Sequence, residues 1–250
     1  MNSVVLGVGL LSIGRTWGAQ QTPPPSEEQA INLIQQAYAN GLRFFDTAPA
    51  YAKSETILGS ALSQTSLGGD LYIATKMGEY WDDEKNRSYA SHAYVDLMTG
   101  LERSIKILGR IDLLQLHKAN RENIISPAVV HAIDFAKTIG ITQFGASVSD
   151  LETAFIACSC GLYNYIQFPY NIENRQMEAA FYFAKEFNTE IIVNRPFAMG
   201  GLLQKNSNSD SLFSFILEQD FSGVILTGTS SSAHLIDNIN SFEQAKKKCG

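Results

Sequence analysis

The sequence predicts an α/β fold, a (β/α)8 barrel of the TIM type, as a single domain over residues 1–250. Three observations carry that expectation. Short β-branched or aromatic runs alternate with longer segments of helical period, the pattern of strands and helices in turn. Roughly eight such strand-then-helix units can be laid along the chain, the number that closes a parallel sheet on itself. The length of 250 residues, 45% of them hydrophobic, supplies one core of that size without a second domain.

The strand runs are Val4-Val5-Leu6, Phe44-Phe45, Leu71 to Ala74, Ile111 to Leu116, Ile141 to Ala146, Tyr163 to Phe168, Ile191-Ile192-Val193 and Val224-Ile225-Leu226. Between them, Ile31, Ile34 and Tyr38 share a helical face with Ala30, Leu33 and Ala37. Tyr94, Leu97, Met98, Leu101, Ile105 and Leu108 form a second stripe, and Met177, Phe181 and Ala184 a third. Ser26 with Gln29, and Ser149 with Glu152, have capping-box spacing, while Gly41, Gly109 and Gly140 sit where helices should stop. The Pro-rich stretch from Thr22 to Pro25 falls between the first strand and first helix, so it reads as a loop of the barrel; Asn206 to Asp210 reads as another polar loop. An open, doubly wound sheet would usually carry G-x-G-x-x-G in its first turn, and Gly7, Gly9 and Gly14 do not keep that spacing.

Composition excludes several functions. A net charge of -6, with no gathered stripe of Lys and Arg, argues against a nucleic-acid partner. Lys246 to Lys248 reads as a solvated helix end. Three cysteines make no disulfide framework, and Cys158 with Cys160 lacks further ligands at metal spacing, so buried reduced thiols and no metal are expected. No signal-like N-terminus and no run of about 18 apolar residues occurs, which implies no membrane partner and a cytoplasmic location.

Barrels of this kind place their chemistry where strands end. The second strand ends at Asp46 and runs into Thr47 to Tyr51; the third ends at Lys76; the fourth ends at His117. Singly, each has an ordinary explanation: a turn-forming Asp, a solvated Lys, a packed Tyr, a structural His. Their convergence on successive strand ends points instead to a reactive centre. His92 and His131 fall on predicted helices and read as surface or packing residues. Glu79, Asp82, Asp83 and Glu84 read as an acidic, solvated loop, whereas Trp17 and Trp81 are candidates for apolar walls of a substrate site.

The blocks F-F-D-T-A-P-A-Y (Phe44 to Tyr51), Ser54-Glu55, Leu58-Gly59, I-A-T-K (Ile73 to Lys76) and D-L-L-Q-L-H (Asp112 to His117) resemble those of the aldo-keto reductases. F-G-A-S, I-Q-F-P-Y-N, R-P-F-A-M-G-G-L-L and G-T-S-S follow in the same order, so the resemblance, to a short-loop member, spans nearly the whole chain. It implies reduction of a small aldehyde or ketone, with Tyr51 as general acid, Lys76 and Asp46 tuning it and His117 orienting the carbonyl. An ammonium beside a phenol is expected to lower its pKa from about 10. NADPH is the implied cofactor. Ser147 and Gln167 would hold the nicotinamide amide, and Arg195, Pro196 and Phe197 would pack along its face. Gly228, Thr229 and Ser230 would form the phosphate turn, while His234, Asp237 and Asn238 would lie toward the adenine end. The sequence departs from the family at Gly228 and His234, where many members carry a Lys and an Arg for the 2′-phosphate; NADH use therefore stays open. Val148 replaces a common Asn, and little chain follows the last helix, which predicts a more open site and weaker cofactor retention. A redox-neutral acid–base enzyme and a cofactor-binding regulatory subunit are the alternative functions.

Overall fold

A computed structural model describes residues 3–64, 67–205 and 208–249. In chain order its strands are β1 (Val4–Gly9), β2 (Phe44–Asp46), β3 (Tyr72–Met77), β4 (Glu79–Asp82), β5 (Arg87–Ala90), β6 (Leu113–Leu116), β7 (Gln143–Ser147), β8 (Tyr165–Pro169), β9 (Glu190–Asn194) and β10 (Gly223–Thr227). Its helices are α1 (Leu11–Gly14), α2 (Glu27–Ala39), α3 (Ser54–Gln64), α4 (Tyr94–Leu108), α5 (Pro127–Thr138), α6 (Leu151–Ser159), α7 (Ala179–Glu186), α8 (Gly201–Gln204), α9 (Ser209–Leu217) and α10 (Ser232–Cys249).

Among the described residues the sheet closes in the order β1-β10-β9-β8-β7-β6-β3-β2, every pair parallel, while β4 and β5 form a separate antiparallel hairpin. The expected (β/α)8 barrel is the observed fold.

The period-two alternation of the strands separates two environments. Phe45, Ile73, Leu114, Ile166 and Ile191 belong to the large core between barrel and helices. Phe44, Ala74, Leu113, Ile192, Val224 and Leu226 form a second cluster inside the barrel, with Tyr72 and Tyr165 packed against it. Two residues further along the same rows, the interior positions become Asp46, Lys76, Gln115, Gln167 and Asn194. The barrel is thus plugged by hydrocarbon at one end and lined by polar groups at the C-terminal end.

Local chemistry sets the helix ends. Ser26 and Gln29 form the complete capping box expected at the start of α2. Gly41, Gly109 and Gly140 follow helices with positive φ, as expected. At α6 the cap is Asp150, whose carboxylate accepts from the Thr153 N–H at 2.8 Å, rather than Ser149 paired with Glu152. Asp150 also bonds the Thr153 hydroxyl, a second contact that a Ser in the preceding position does not make.

Other expectations are corrected. Residues 79–90 are a hairpin in which Glu79 is buried and Asp82 half-buried, while Asp83 and Glu84 are solvated at its turn as expected. His92 precedes α4 instead of lying on a helix, whereas His131 is an exposed α5 residue edge-on to Tyr94. Tyr94 starts the α4 stripe exposed. Cys158 is buried, but Cys160 is half-buried and Cys249 exposed; all three are free thiols. The polar loop expected at 206–210 falls partly outside the described residues, and Asn208 caps α9. No helix among the described residues is long and apolar enough to cross a membrane.

The α4 stripe gives a direct test of the packing. Leu101 is 1% exposed. Leu101→Ala is expected to lower unfolding free energy by about 2–5 kcal/mol, seen as a lower urea midpoint at unchanged slope.

Candidate active site

The C-terminal rim brings together Asp46, Tyr51, Lys76 and His117. The Lys76 ammonium, fully buried at the end of β3, donates to Asp46 Oδ2 at 2.6 Å and to the Thr47 carbonyl at 3.0 Å. The other Asp46 oxygen, Oδ1, accepts from Gln115 Nε2 at 2.8 Å. Tyr51 ends a 3-10 turn (Pro49–Tyr51), and the Lys76 Nζ stands 4.9 Å from its ring centroid. The His117 ring meets Tyr51 edge-on, with centroids 5.9 Å apart and planes at 83°.

Burial by itself would lower the Lys76 pKa, but Asp46, followed by Tyr51, raises it, and the net shift is upward: Lys76 is a cation. The outcome at Tyr51 corrects the expectation. Burial raises the phenol's pKa, Lys76 opposes that, and Asp46 reinforces the rise, leaving it above 10.0. Burial outweighs the ammonium, whose field the Asp46 carboxylate also opposes, so Tyr51 is a protonated phenol able to donate. Burial, then the charges of Lys76, Lys118 and Arg15, hold His117 well below its ordinary value of 6.5. Glu79 Oε2, 3.1 Å from Nδ1 but off line for a hydrogen bond, does not offset them. The imidazole is neutral.

The backbone around these groups is held closely. A Cβ on Gly14 would come within 2.0 Å of the Tyr51 carbonyl and 2.7 Å of the Ser54 N–H, so only glycine lets α1 lie against the Tyr51 turn. The Thr47 and Ser54 hydroxyls share a hydrogen bond of 2.8 Å, and Thr75, next to Lys76, donates to buried Glu55 at 2.6 Å.

Gln115, Glu79, His92 and Arg15 join the site without having been expected there. Gln115 had a legible signal, a polar residue inside a run of leucines and two positions before His117 on the same strand face. His92 Nε2 donates to the His117 carbonyl at 2.8 Å, and Asn123 Nδ2 lies 3.3 Å from His92 Nδ1. Nothing in a linear motif announces that contact across 25 residues. The Arg15 guanidinium lies near the indoles of Trp81 and Trp17, 5.1 and 5.9 Å from their centroids.

The residues expected to hold a cofactor lie on the other half of the rim. Ser147 and Gln167 are paired neighbours at the ends of β7 and β8. Arg195, after β9, is exposed with φ of 55°, and its guanidinium stands 5.5 Å from the Trp17 centroid. Pro196 and Phe197 are buried beside it. Gly228 is exposed; Thr229 Oγ1 accepts from the Ser231 N–H at 3.0 Å, and Ser230 is half-buried. His234 and Asp237 are exposed on α10, and Asn238 is buried. Ser12 Oγ, near Gly228, and Asn194 Oδ1, before Arg195, are buried without a hydrogen-bond partner among the described residues. Buried polar atoms left unpaired beside the residues expected to hold a cofactor fit a polar ligand that would satisfy them.

The model of the aldo/keto reductase family matches residues 5–215. The chain belongs to that family. The aldo-keto reductase YhdN of Bacillus subtilis is 28% identical over 183 residues, covering 69% of this chain and 52% of that protein. L-Galactose dehydrogenase of Arabidopsis thaliana is 33% identical over 145 residues, 56% of this chain and 42% of the relative. The chain thus spans about half the length of these curated relatives. Among solved structures, the holo form of a Bacillus halodurans aldo-keto reductase superposes with a TM-score of 0.79 at 21% identity, covering 98% of this chain and 91% of that one. A glycerol dehydrogenase of Gluconobacter oxydans superposes with a TM-score of 0.78 at 20% identity, covering 98% and 89%. At these identities the two structures attest the barrel alone.

The depressed His117 pKa has a measurable consequence. Below pH 6.5 the unfolded chain protonates this imidazole while the folded chain does not, so stability falls on acidification. Relative to His117→Asn, the wild type is expected to lose up to about 1.4 kcal/mol per pH unit below pH 6.5, until the folded-state pKa is passed. Urea unfolding of both proteins between pH 7.5 and 5 checks this, and parallel curves would refute it.

Proposed function

We propose that this aldo/keto reductase reduces a small aldehyde or ketone to an alcohol with a nicotinamide cofactor, NADPH being the family expectation. The observation that carries the reading is the chain Tyr51–Lys76–Asp46–Gln115 beside a neutral His117. A protonated phenol backed by a fixed ammonium is a proton donor whose conjugate base has its counter-charge already in place.

In this mechanism the carbonyl oxygen lies between Tyr51 and His117. The bound cofactor would supply the hydride to the carbonyl carbon. The Tyr51 hydroxyl gives its proton to the oxygen as negative charge develops there, and Lys76 stabilises the phenolate left behind. Asp46, held by Gln115, keeps Lys76 in line without reorganisation. His117 hydrogen-bonds the carbonyl and sets its angle. Trp17 and Trp81 would wall the substrate. Ser147 and Gln167 would hold the nicotinamide amide, with Arg195, Pro196 and Phe197 alongside. Gly228, Thr229 and Ser230, just before α10, would meet phosphate at a helix N-terminus, and His234, Asp237 and Asn238 would lie toward the adenine.

One observation favours NADH as a second reading. The chain has no Lys or Arg between Lys205 and Lys246, so the approach to α10 and its N-terminal turns carry no cation for a 2′-phosphate. Ser230, Ser231 and His234 would have to serve by hydrogen bonding.

Tyr51→Phe is expected to bind cofactor as the wild type does but to lose about 10²–10⁴-fold in turnover, followed as nicotinamide absorbance with a panel of carbonyl compounds. Undiminished turnover would refute the role given to Tyr51. Quenching of tryptophan fluorescence by NADPH and by NADH ranks the two cofactors; tighter NADH binding would replace the NADPH assignment by the second reading.

A further inference from the structure

Arg15 is placed with unusual care for a residue between two loops. It follows α1, and α1 is pressed on the Tyr51 turn through Gly14. The guanidinium is therefore tied to the reactive tyrosine by a short, tightly packed stretch of backbone. It lies over the Trp81 indole from the β4–β5 hairpin and near the Trp17 indole from the β1–α2 loop, 5.1 and 5.9 Å from their centroids. Its charge is felt at His117, where it helps to keep the imidazole neutral.

What Arg15 does not have is an acid. The chain carries 25 acidic residues against 19 basic ones. The other cations around His117 have carboxylates in reach: Lys76 has Asp46 at 2.6 Å, and Lys118 has Glu79 at 4.0 Å. Among the described residues no carboxylate oxygen lies within 4.0 Å of the Arg15 guanidinium, and its Nε is buried without a hydrogen-bond partner. Glu79 turns elsewhere, accepting from the Ser88 hydroxyl at 2.8 Å and lying beside His117. Two aromatic faces attract a guanidinium in this position but satisfy none of its N–H groups. A half-buried guanidinium with open donors, at the mouth of a reactive centre, is the arrangement that takes up a carboxylate or phosphate by paired hydrogen bonds.

We infer that Arg15 is the specificity-determining residue of the substrate site and that the substrate is a carbonyl compound carrying an anionic group, carboxylate or phosphate. The inference rests on the proposed carbonyl reduction at the same site. The anionic group binds between Trp17 and Trp81 against the Arg15 fork, which leaves the carbonyl end directed to Tyr51 and His117. Arg195, whose guanidinium stands 5.5 Å from the same Trp17 centroid, is assigned instead to the cofactor half of the rim, since it follows β9. A purely structural Arg15, a cationic clip joining hairpin to loop, would stabilise the mouth for every substrate alike.

The test compares 4-carboxybenzaldehyde, 4-formylphenyl phosphate and the neutral methyl 4-formylbenzoate in the wild type, Arg15→Gln and Arg15→Lys. The wild type is expected to favour at least one anionic aldehyde over the ester by about tenfold or more in kcat/KM, chiefly through KM. Whichever of the two anions is preferred identifies the group. Arg15→Gln should cost that aldehyde about ten- to a hundredfold more than it costs the ester, and Arg15→Lys, which keeps the charge but loses the fork, should fall between. Equal losses for all three aldehydes in Arg15→Gln, or no anionic preference in the wild type, would overturn the inference. Binding is read separately by tryptophan fluorescence with benzoate and phenyl phosphate, which cannot be reduced. If none of the aldehydes turns over, the reductase reading fails. Anion binding weakened about tenfold in Arg15→Gln then still sustains the role of Arg15, and unchanged binding rejects it.

Discussion

A cation inside the end of a barrel is the constraint around which the rest of this site is arranged. Lys76 and Asp46 are both buried, and an ammonium removed from water is tolerable only beside a counter-charge and with its donors used. Removing one member of such a pair typically costs about 3–5 kcal/mol, because the other is stranded. The surroundings follow from that. Asp46 spends its second oxygen on Gln115, Lys76 spends a second donor on the Thr47 carbonyl, and the Tyr51 ring lies beside the ammonium. Gln115 in turn needs space, and Gly145 on the adjacent strand provides it, since a Cβ there would come within 2.9 Å of Gln115 Cγ.

The same pairing decides the protonation of the neighbours. A free ammonium would pull the Tyr51 phenol down; one matched to a carboxylate leaves burial to dominate, and the phenol keeps its proton. His117 feels burial and three cations, so it stays neutral. Two neutral, hydrogen-bonding side chains therefore stand over a charged foundation. This is a sound disposition for receiving charge that develops on a carbonyl oxygen, because the stabilising dipoles and ammonium need no rearrangement when it appears.

Around this centre the mouth is less uniform than an open, short-loop barrel suggests. The β4–β5 hairpin brings Glu79 down beside His117 and lays Trp81 against Arg15. The backbone from Arg195 to Gly200 has positive φ at Arg195, Ala198, Met199 and Gly200, and it is joined to the first loop by the Ala19 N–H on the Met199 carbonyl at 3.0 Å. Left-handed backbone at non-glycine residues costs free energy that the surrounding contacts must offset, and such stretches gather at functional rims.

The barrel and the rim quartet of Asp46, Tyr51, Lys76 and His117 were legible in the amino-acid order because both rest on short-range regularities. Period-two alternation separates Phe44 from Phe45, and continuing the interior row by two residues reaches Asp46, Lys76 or Gln115 at the rim. The Asp46-to-Tyr51 turn and the strand ends at Lys76 and His117 could therefore be assigned together without coordinates, as could the capping box at Ser26. What needed the tertiary structure was every contact between rows distant in sequence: His92 on the His117 carbonyl, Glu79 beside the imidazole, Arg15 against Trp81. It also reversed the expected sign at Tyr51. Linear sequence states which ionisable groups share a rim, but the pKa of each depends on burial and on which charge is already matched. Those quantities are set by distances of a few ångströms that only folding establishes.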